Sequence, residues 1–188
     1  MVTPLDAQRS DPLNGGPSFS LGNRLFRLAW NIAWLALAAW TPAPLSPWRR
    51  LLLRAFGAQI EAKCDVRGSA RVWYPPHLTM ARRSQLAAGV VCYNMAPVTL
   101  GEGALVSQRA VLCAGTHDID DSIFQLVARP IRIGAGAWVA SEAFIGPGVT
   151  VGEGAVLGAR AVAFRDLPAW TVFAGNPARQ IRMRQRGR

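Results

Sequence analysis

Every sixth residue from Ile133 onward is apolar: Ile133, Val139, Ile145, Val151, Leu157 and Ala163. The residues that follow them are Gly134, Ala140, Gly146, Gly152, Gly158 and Phe164, and those two places before them are Ile131, Ala137, Ala143, Val149, Ala155 and Ala161. Three columns in one register exclude a helical period of 3.6 or a strand period of 2 as the organising pattern. The same step recovers Leu100, Val106 and Leu112, and an earlier run of Ile60, Val66, Val72 and Leu78 with Cys64 and Ala70 in the small column. A period of six held over most of residues 60–163 describes a short strand and a tight turn, repeated. The large aliphatic points inward, the small residue fits a crowded corner, and glycine lets the backbone turn. Three strands close a triangular coil, and stacked coils form a mainly β parallel helix around an aliphatic column.

The register breaks twice. Leu112 and Ile133 are 21 residues apart, which is not a multiple of six, so the chain leaves the stack and returns through a loop containing His117, Asp118, Asp120, Asp121 and Arg129. A second break between Leu78 and Leu100 contains Tyr93 and Asn94. Irregular loops on a rigid scaffold are where functional side chains gather.

Before the repeats, Phe26, Trp30, Trp34 and Leu37 fall on one face of a helix and Arg24, Arg27 and Asn31 on another, with Pro42, Pro44 and Pro47 ending it. The apolar stretch 28–40 is shorter than the ~20 residues of a membrane span. Two uses fit it: an in-plane membrane anchor, with tryptophans at the headgroups and Arg49, Arg50 and Arg54 on anionic lipid, or a helix packed on the domain over an exposed edge of the stack. The expected divisions are a polar N-terminus and helix over 1–56, the repeat domain over 57–182 and a basic tail over 183–188 that includes Arg184, Arg186 and Arg188.

A chain of 188 residues holds one domain and a small appendage. Its 21 basic and 11 acidic residues give a net charge of +10, with Lys63 the sole lysine, which favours anionic partners such as phosphates, acidic glycans or a lipid surface. Cys64, Cys92 and Cys113 lack paired spacing and read as reduced thiols, and two histidines, His77 and His117, exclude a three-histidine metal site on one chain. The polar opening with Asp6, Arg9 and Asp11 does not read as a secretory signal, so a cytoplasmic location is expected.

The segments GTHD at 115–118, PIRIGAGAWVASEAFIGPGVTVGEGAVLGARAV at 130–162 and AGNPAR at 174–179 resemble the hexapeptide-repeat acyltransferases. Within that family the chain is most similar to the colanic-acid and exopolysaccharide O-acetyltransferases, close to the maltose, galactoside and nodulation-factor enzymes, over roughly residues 18–182. The resemblance implies a left-handed β-helix, a homotrimer with active sites between subunits, acetyl-CoA as co-substrate, a carbohydrate acceptor, and no metal or nucleic acid. It implies O-acetylation of a cell-surface polysaccharide or its lipid-linked precursor, and the helix and the net charge of +10 fit peripheral contact at the inner face of the cytoplasmic membrane. An amino-sugar N-acetyltransferase and a non-catalytic β-helix scaffold are the alternatives.

Carried over residue by residue, the resemblance makes His117 the general base that takes a proton from the acceptor hydroxyl. Ser141 supplies a backbone N–H to the acetyl group, Trp138 lines the acetyl-end pocket, and the Ala159 backbone meets the pantetheine arm. Arg165 stands for a family lysine near the phosphates, Asn176 and Pro177 form the turn beside adenine, and Arg179 and Arg182 bind the adenosine end. On the acceptor side are Asn94, Tyr93 as a platform for a pyranose, Gln108 and Asp118. Two positions depart from the family pattern: Phe164 replaces a threonine, and Glu142 replaces a histidine or aspartate.

Overall fold

The computed structural model describes residues 5–185. The hexapeptide columns become the faces of a triangular prism, a mainly β, left-handed parallel β-helix. One coil runs Val98–Leu100 on the first face, Leu105–Val106 on the second and Val111–Cys113 on the third; the next runs Ile131–Ile133, Trp138–Val139 and Phe144–Ile145. Each strand pairs in parallel with its counterpart one coil away, so Leu100 lies beside Ile133, Val106 beside Val139 and Leu112 beside Ile145. These inward residues and the small Ala137, Ala143, Ala155 and Ala161 are all buried.

The glycines of the repeat do a different task from the one expected. A Cβ on Gly134 would lie 2.6 Å from Glu153 N, and one on Gly152 would lie 2.5 Å from Ala169 N, so these corners need glycine because the next coil passes too close for any side chain. The left-handed turn position falls two residues later, where Gly136 and Gly154 have φ of 60° and 63°.

The early register also differs from the reading above. Ile60 pairs with Met80, and Met80 with Leu100, so Met80 and not Leu78 occupies the inward column, and Leu86 and Cys92 carry the period to Leu100. In place of one break between 78 and 100 there are two corners, each with two extra residues, one between Val72 and Met80 and one between Cys92 and Leu100. The first holds the short 3₁₀ turn Pro75–His77 and the second the bend around Asn94 to Pro97. Burial pushes the Cys92 thiol up to about 12, which makes it an inert core residue.

The long helix Leu21–Leu37 lies against the first coil. Its Trp30 indole N–H donates to the Val72 carbonyl at 2.7 Å and its Trp34 indole to the Gly68 carbonyl at 2.9 Å. Both rings are buried, so the tryptophan face packs on the domain and does not meet lipid headgroups. The second helix, Ser46–Ala55, is stapled to the same coil by its arginines. Arg49 is fully buried and donates to the carbonyls of Val66, Thr41, Pro42 and Ala43 and to Thr41 Oγ1, while Arg50 and Arg54 donate to the carbonyls of Cys64 and Ile60. Burial is the main force lowering the Arg49 pKa, partly offset by Asp65. Arg49 is therefore a structural cation and not a lipid contact.

At the far end, Arg179–Met183 turns back antiparallel to Thr171–Ala174. Of the basic tail, Arg184 is tethered, donating to the carbonyls of Gly136 at 3.0 Å and Gly154 at 2.9 Å; Arg186 and Arg188 lie outside the described residues.

Candidate active site

The loop expected from the broken register is a two-stranded antiparallel hairpin, Gly115–His117 with Leu126–Ala128, leaving the prism at the edge between its third and first faces. Gly115 stands at its base, with the flexible Met95 side chain in the space a Cβ would take. His117 Nδ1 lies 2.8 Å from the carbonyl oxygen of Phe124, and the two rings stack with centroids 4.4 Å apart and planes 9° from parallel. A carbonyl only accepts, so the contact assigns the proton to Nδ1 and leaves the Nε2 lone pair available as a base. Phe124 itself has φ of 53°, an uncommon value for a bulky residue. Sequence reasoning missed it, since nothing in the letters distinguishes this phenylalanine from any other loop residue.

Gln125 anchors the hairpin from outside. Its side chain accepts from the Ala7 N–H at 2.9 Å and donates to the Leu5 carbonyl, tying the N-terminal segment to the loop. Asp118 accepts from the Asp120 N–H at 3.1 Å, which makes it a turn residue beside His117 and not its hydrogen-bond partner.

A second set of groups runs up the edge between the second and third faces. The turn Ala140–Ser141–Glu142–Ala143 closes with an Ala143 N–H to Ala140 O bond, and Glu142 has φ of 61°, the signature of a type II turn. Ser107–Gln108–Arg109–Ala110 one coil earlier and Gly158–Ala159–Arg160–Ala161 one coil later repeat it, with φ of 58° at Arg109 and 57° at Arg160. Gln108, Ser141 and Ala159 thus stack at intervals of about 4.8 Å, and among the described residues their N–H groups have no hydrogen-bond partner. The Ser141 hydroxyl donates to Gln108 Oε1 at 3.1 Å. Trp138, 43% exposed on the adjoining face, is oriented by its indole N–H, which donates to Ser107 Oγ at 2.8 Å.

Glu142 fixes this edge. Its carboxylate accepts from Arg160 Nε at 2.5 Å and from Arg109, so three successive coils are bridged by one acid. Arg160, followed by Arg109, holds the Glu142 carboxyl below the usual carboxylate range.

Near the last coil, Arg165, Pro177 and Arg179 line one cavity of about 370 Å³ together with Phe164 and Phe173. Arg182 is exposed on the adjoining strand, and Asn176 sits in the turn before it. On the other side, Tyr93 packs edge-on to Trp73 at 5.6 Å, and the Arg27 guanidinium lies over the Trp73 ring at 4.4 Å. Asn94 needs correction as an acceptor contact. It is fully buried, and its amide accepts from the Tyr74 N–H at 3.0 Å and donates to the Tyr74 carbonyl at 2.8 Å, so it holds a corner and presents nothing to solvent.

No protein-family model matches the chain. It is 39% identical over 166 residues to WcaF of Escherichia coli (strain K12), named a colanic acid biosynthesis acetyltransferase, across 88% of this chain and 91% of that protein. This chain belongs to the hexapeptide-repeat acetyltransferases. Among solved structures, a galactoside acetyltransferase in complex with coenzyme A superposes with a TM-score of 0.80 at 22% identity, over 90% of this chain and 86% of that one. A hexapeptide-repeat acetyltransferase from Vibrio cholerae O1 biovar eltor, complexed with acetyl coenzyme A, gives 0.77 at 22% identity, over 89% and 91%. At that identity the structural likeness carries the fold alone.

Proposed function

We propose that this acetyltransferase moves the acetyl group of acetyl-CoA to a sugar hydroxyl of a cell-surface polysaccharide or its lipid-linked precursor, with His117 as general base. The observation that carries the reading is the His117 tautomer. With Nδ1–H held by the Phe124 carbonyl, Nε2 takes the acceptor O–H proton as that oxygen attacks the thioester carbonyl. The tetrahedral oxyanion is met by the Ser141 N–H, which its own coil leaves unpaired. Collapse breaks the C–S bond, and the CoA thiolate recovers the proton from Nε2. Trp138 and the Ala159 N–H border the arm of the cofactor, and Arg165, Arg179 and Arg182 supply positive charge for its phosphates.

His117 and Ser141 lie on different edges of the prism, separated by the third face. The reading therefore takes the enzyme as a homotrimer in which the histidine edge of one subunit faces the Ser141 edge of its neighbour. Tyr93, Gln108 and Asp118 fall on the acceptor side, and the WcaF likeness favours an exopolysaccharide acceptor.

The test is calorimetry with CoA and 3′-dephospho-CoA, followed by acetyl-CoA turnover with an acceptor panel. CoA binding that weakens for the dephospho form supports the reading. His117→Ala should retain CoA affinity and lose about 10² to 10⁴ in turnover. Absence of CoA binding, or full turnover in His117→Ala, would refute it.

A further inference from the structure

We propose that the outer face of the Leu21–Leu37 helix, together with the second helix beside it, is a docking surface for an anionic lipid bilayer. The helix is apolar on two opposite sides. Trp30 and Trp34 face the coil, whereas Leu21, Leu25, Leu28, Ile32 and Leu35 recur at spacings of four and three on the other side, each more than half exposed. The stripe continues past the helix end into Trp40, 73% exposed, and Trp48, 39% exposed, with Leu51 beyond. A patch this large, running over two helices, exceeds the scattered apolar residues of an ordinary surface and marks an interaction site.

Charge selects the occupant. Between Asp11 and Glu61 the sequence has no acidic residue, while Arg24, Arg27, Arg49, Arg50 and Arg54 fall within it. Arg49 is buried, but Arg24 and Arg54 are exposed beside the apolar surface. Were the face to meet itself in a two-fold contact between copies, arginine rim would face arginine rim, with Glu61 beside Arg54 the nearest acidic residue in sequence to that rim. An anionic bilayer supplies the counter-charge, takes up the aliphatic stripe below its headgroups and seats tryptophans at the boundary. The proposed surface is the side opposite the tryptophan face expected from sequence, and it is independent of the acetyl-transfer reading.

The experiment mixes the full chain with vesicles of phosphatidylcholine alone or with phosphatidylglycerol added, at low and high salt, and measures co-sedimentation. Binding to phosphatidylglycerol vesicles is expected, falling by on the order of tenfold without the anionic lipid or at high salt. A Leu25→Ser, Leu28→Ser, Ile32→Ser triple variant should lose binding by at least about tenfold with melting temperature and CoA affinity unchanged. Failure of the wild-type protein to bind anionic vesicles would overturn the proposal, as would undiminished binding by the triple variant. A triple variant that falls to a smaller oligomer in lipid-free sedimentation velocity would instead assign the face to a contact between copies.

Discussion

The imidazole of His117 is held twice by Phe124, through Nδ1 to its carbonyl oxygen at 2.8 Å and through parallel rings 4.4 Å apart. One residue thus sets both tautomer and ring plane, and it does so from a backbone conformation with φ of 53° that a bulky side chain seldom takes. Substituting the side chain keeps the carbonyl and removes only the stack.

Phe124→Ala is therefore expected to lower kcat about 10- to 100-fold while leaving the KM for acetyl-CoA unchanged. Phe124→Gly should show the same turnover deficit with an equal or higher melting temperature, because glycine adopts the left-handed region without strain. Steady-state kinetics with thermal melts of both variants check this; a normal kcat in either would remove Phe124 as a positioning residue.

Arg49→Met should destabilise the fold by about 3 kcal/mol, because it strands buried carbonyl acceptors between the second helix and the first coil. Urea denaturation measures the loss. A shift below about 0.5 kcal/mol would mean that water replaces the guanidinium without penalty.

Glu142→Gln tests the ion-paired edge by pH. A carboxyl held low by Arg160 and Arg109 in the folded state contributes stability that is complete above its unfolded value of about 4.3 and fades as pH falls through the lower folded value. Wild type should melt above the variant at pH 7, and the gap should begin to narrow below about pH 4.3 and close as pH falls through the lower folded value. Parallel melting curves across that range would contradict the assignment.

How far the letters led depends on which residue fills the repeat. From Leu100 onward the inward column is aliphatic and the coils could be counted; before it, Met80 and Cys92 occupy that column and two corners carry extra residues, so the same architecture read as a break. The His117 loop was visible because it interrupts a strict period. Asn94 was misplaced because the sequence does not show that a polar side chain is satisfied by the backbone of Tyr74. The helix was legible as amphipathic, yet its tryptophans proved to be the packed face, since an indole can bury its ring and still donate to a carbonyl. Ser141 is singled out by resemblance alone, and the unpaired N–H that supports the proposal, in a turn with positive φ at Glu142, is visible only in three dimensions.

That turn allows a substitution that deletes the backbone N–H, with Ser141→Ala as the control for the hydroxyl lost alongside it. Ser141 occupies the second position of a type II turn, where proline is favoured, so Ser141→Pro removes the N–H within a compatible backbone. Ser141→Ala should be mild, whereas Ser141→Pro should lose about 10² to 10³ in kcat.

The most direct measurement of the central claim, that the histidine edge of one subunit works with the Ser141 edge of the next, is subunit complementation. His117→Ala and Ser141→Pro proteins carrying different tags are co-refolded, mixed trimers are verified by tandem purification, and acetyl transfer is assayed. Each mixed trimer rebuilds one of its three sites, so the purified mixed trimers should recover about one third of wild-type activity. Activity no higher than that of either parent in verified mixed oligomers would contradict a site shared between subunits.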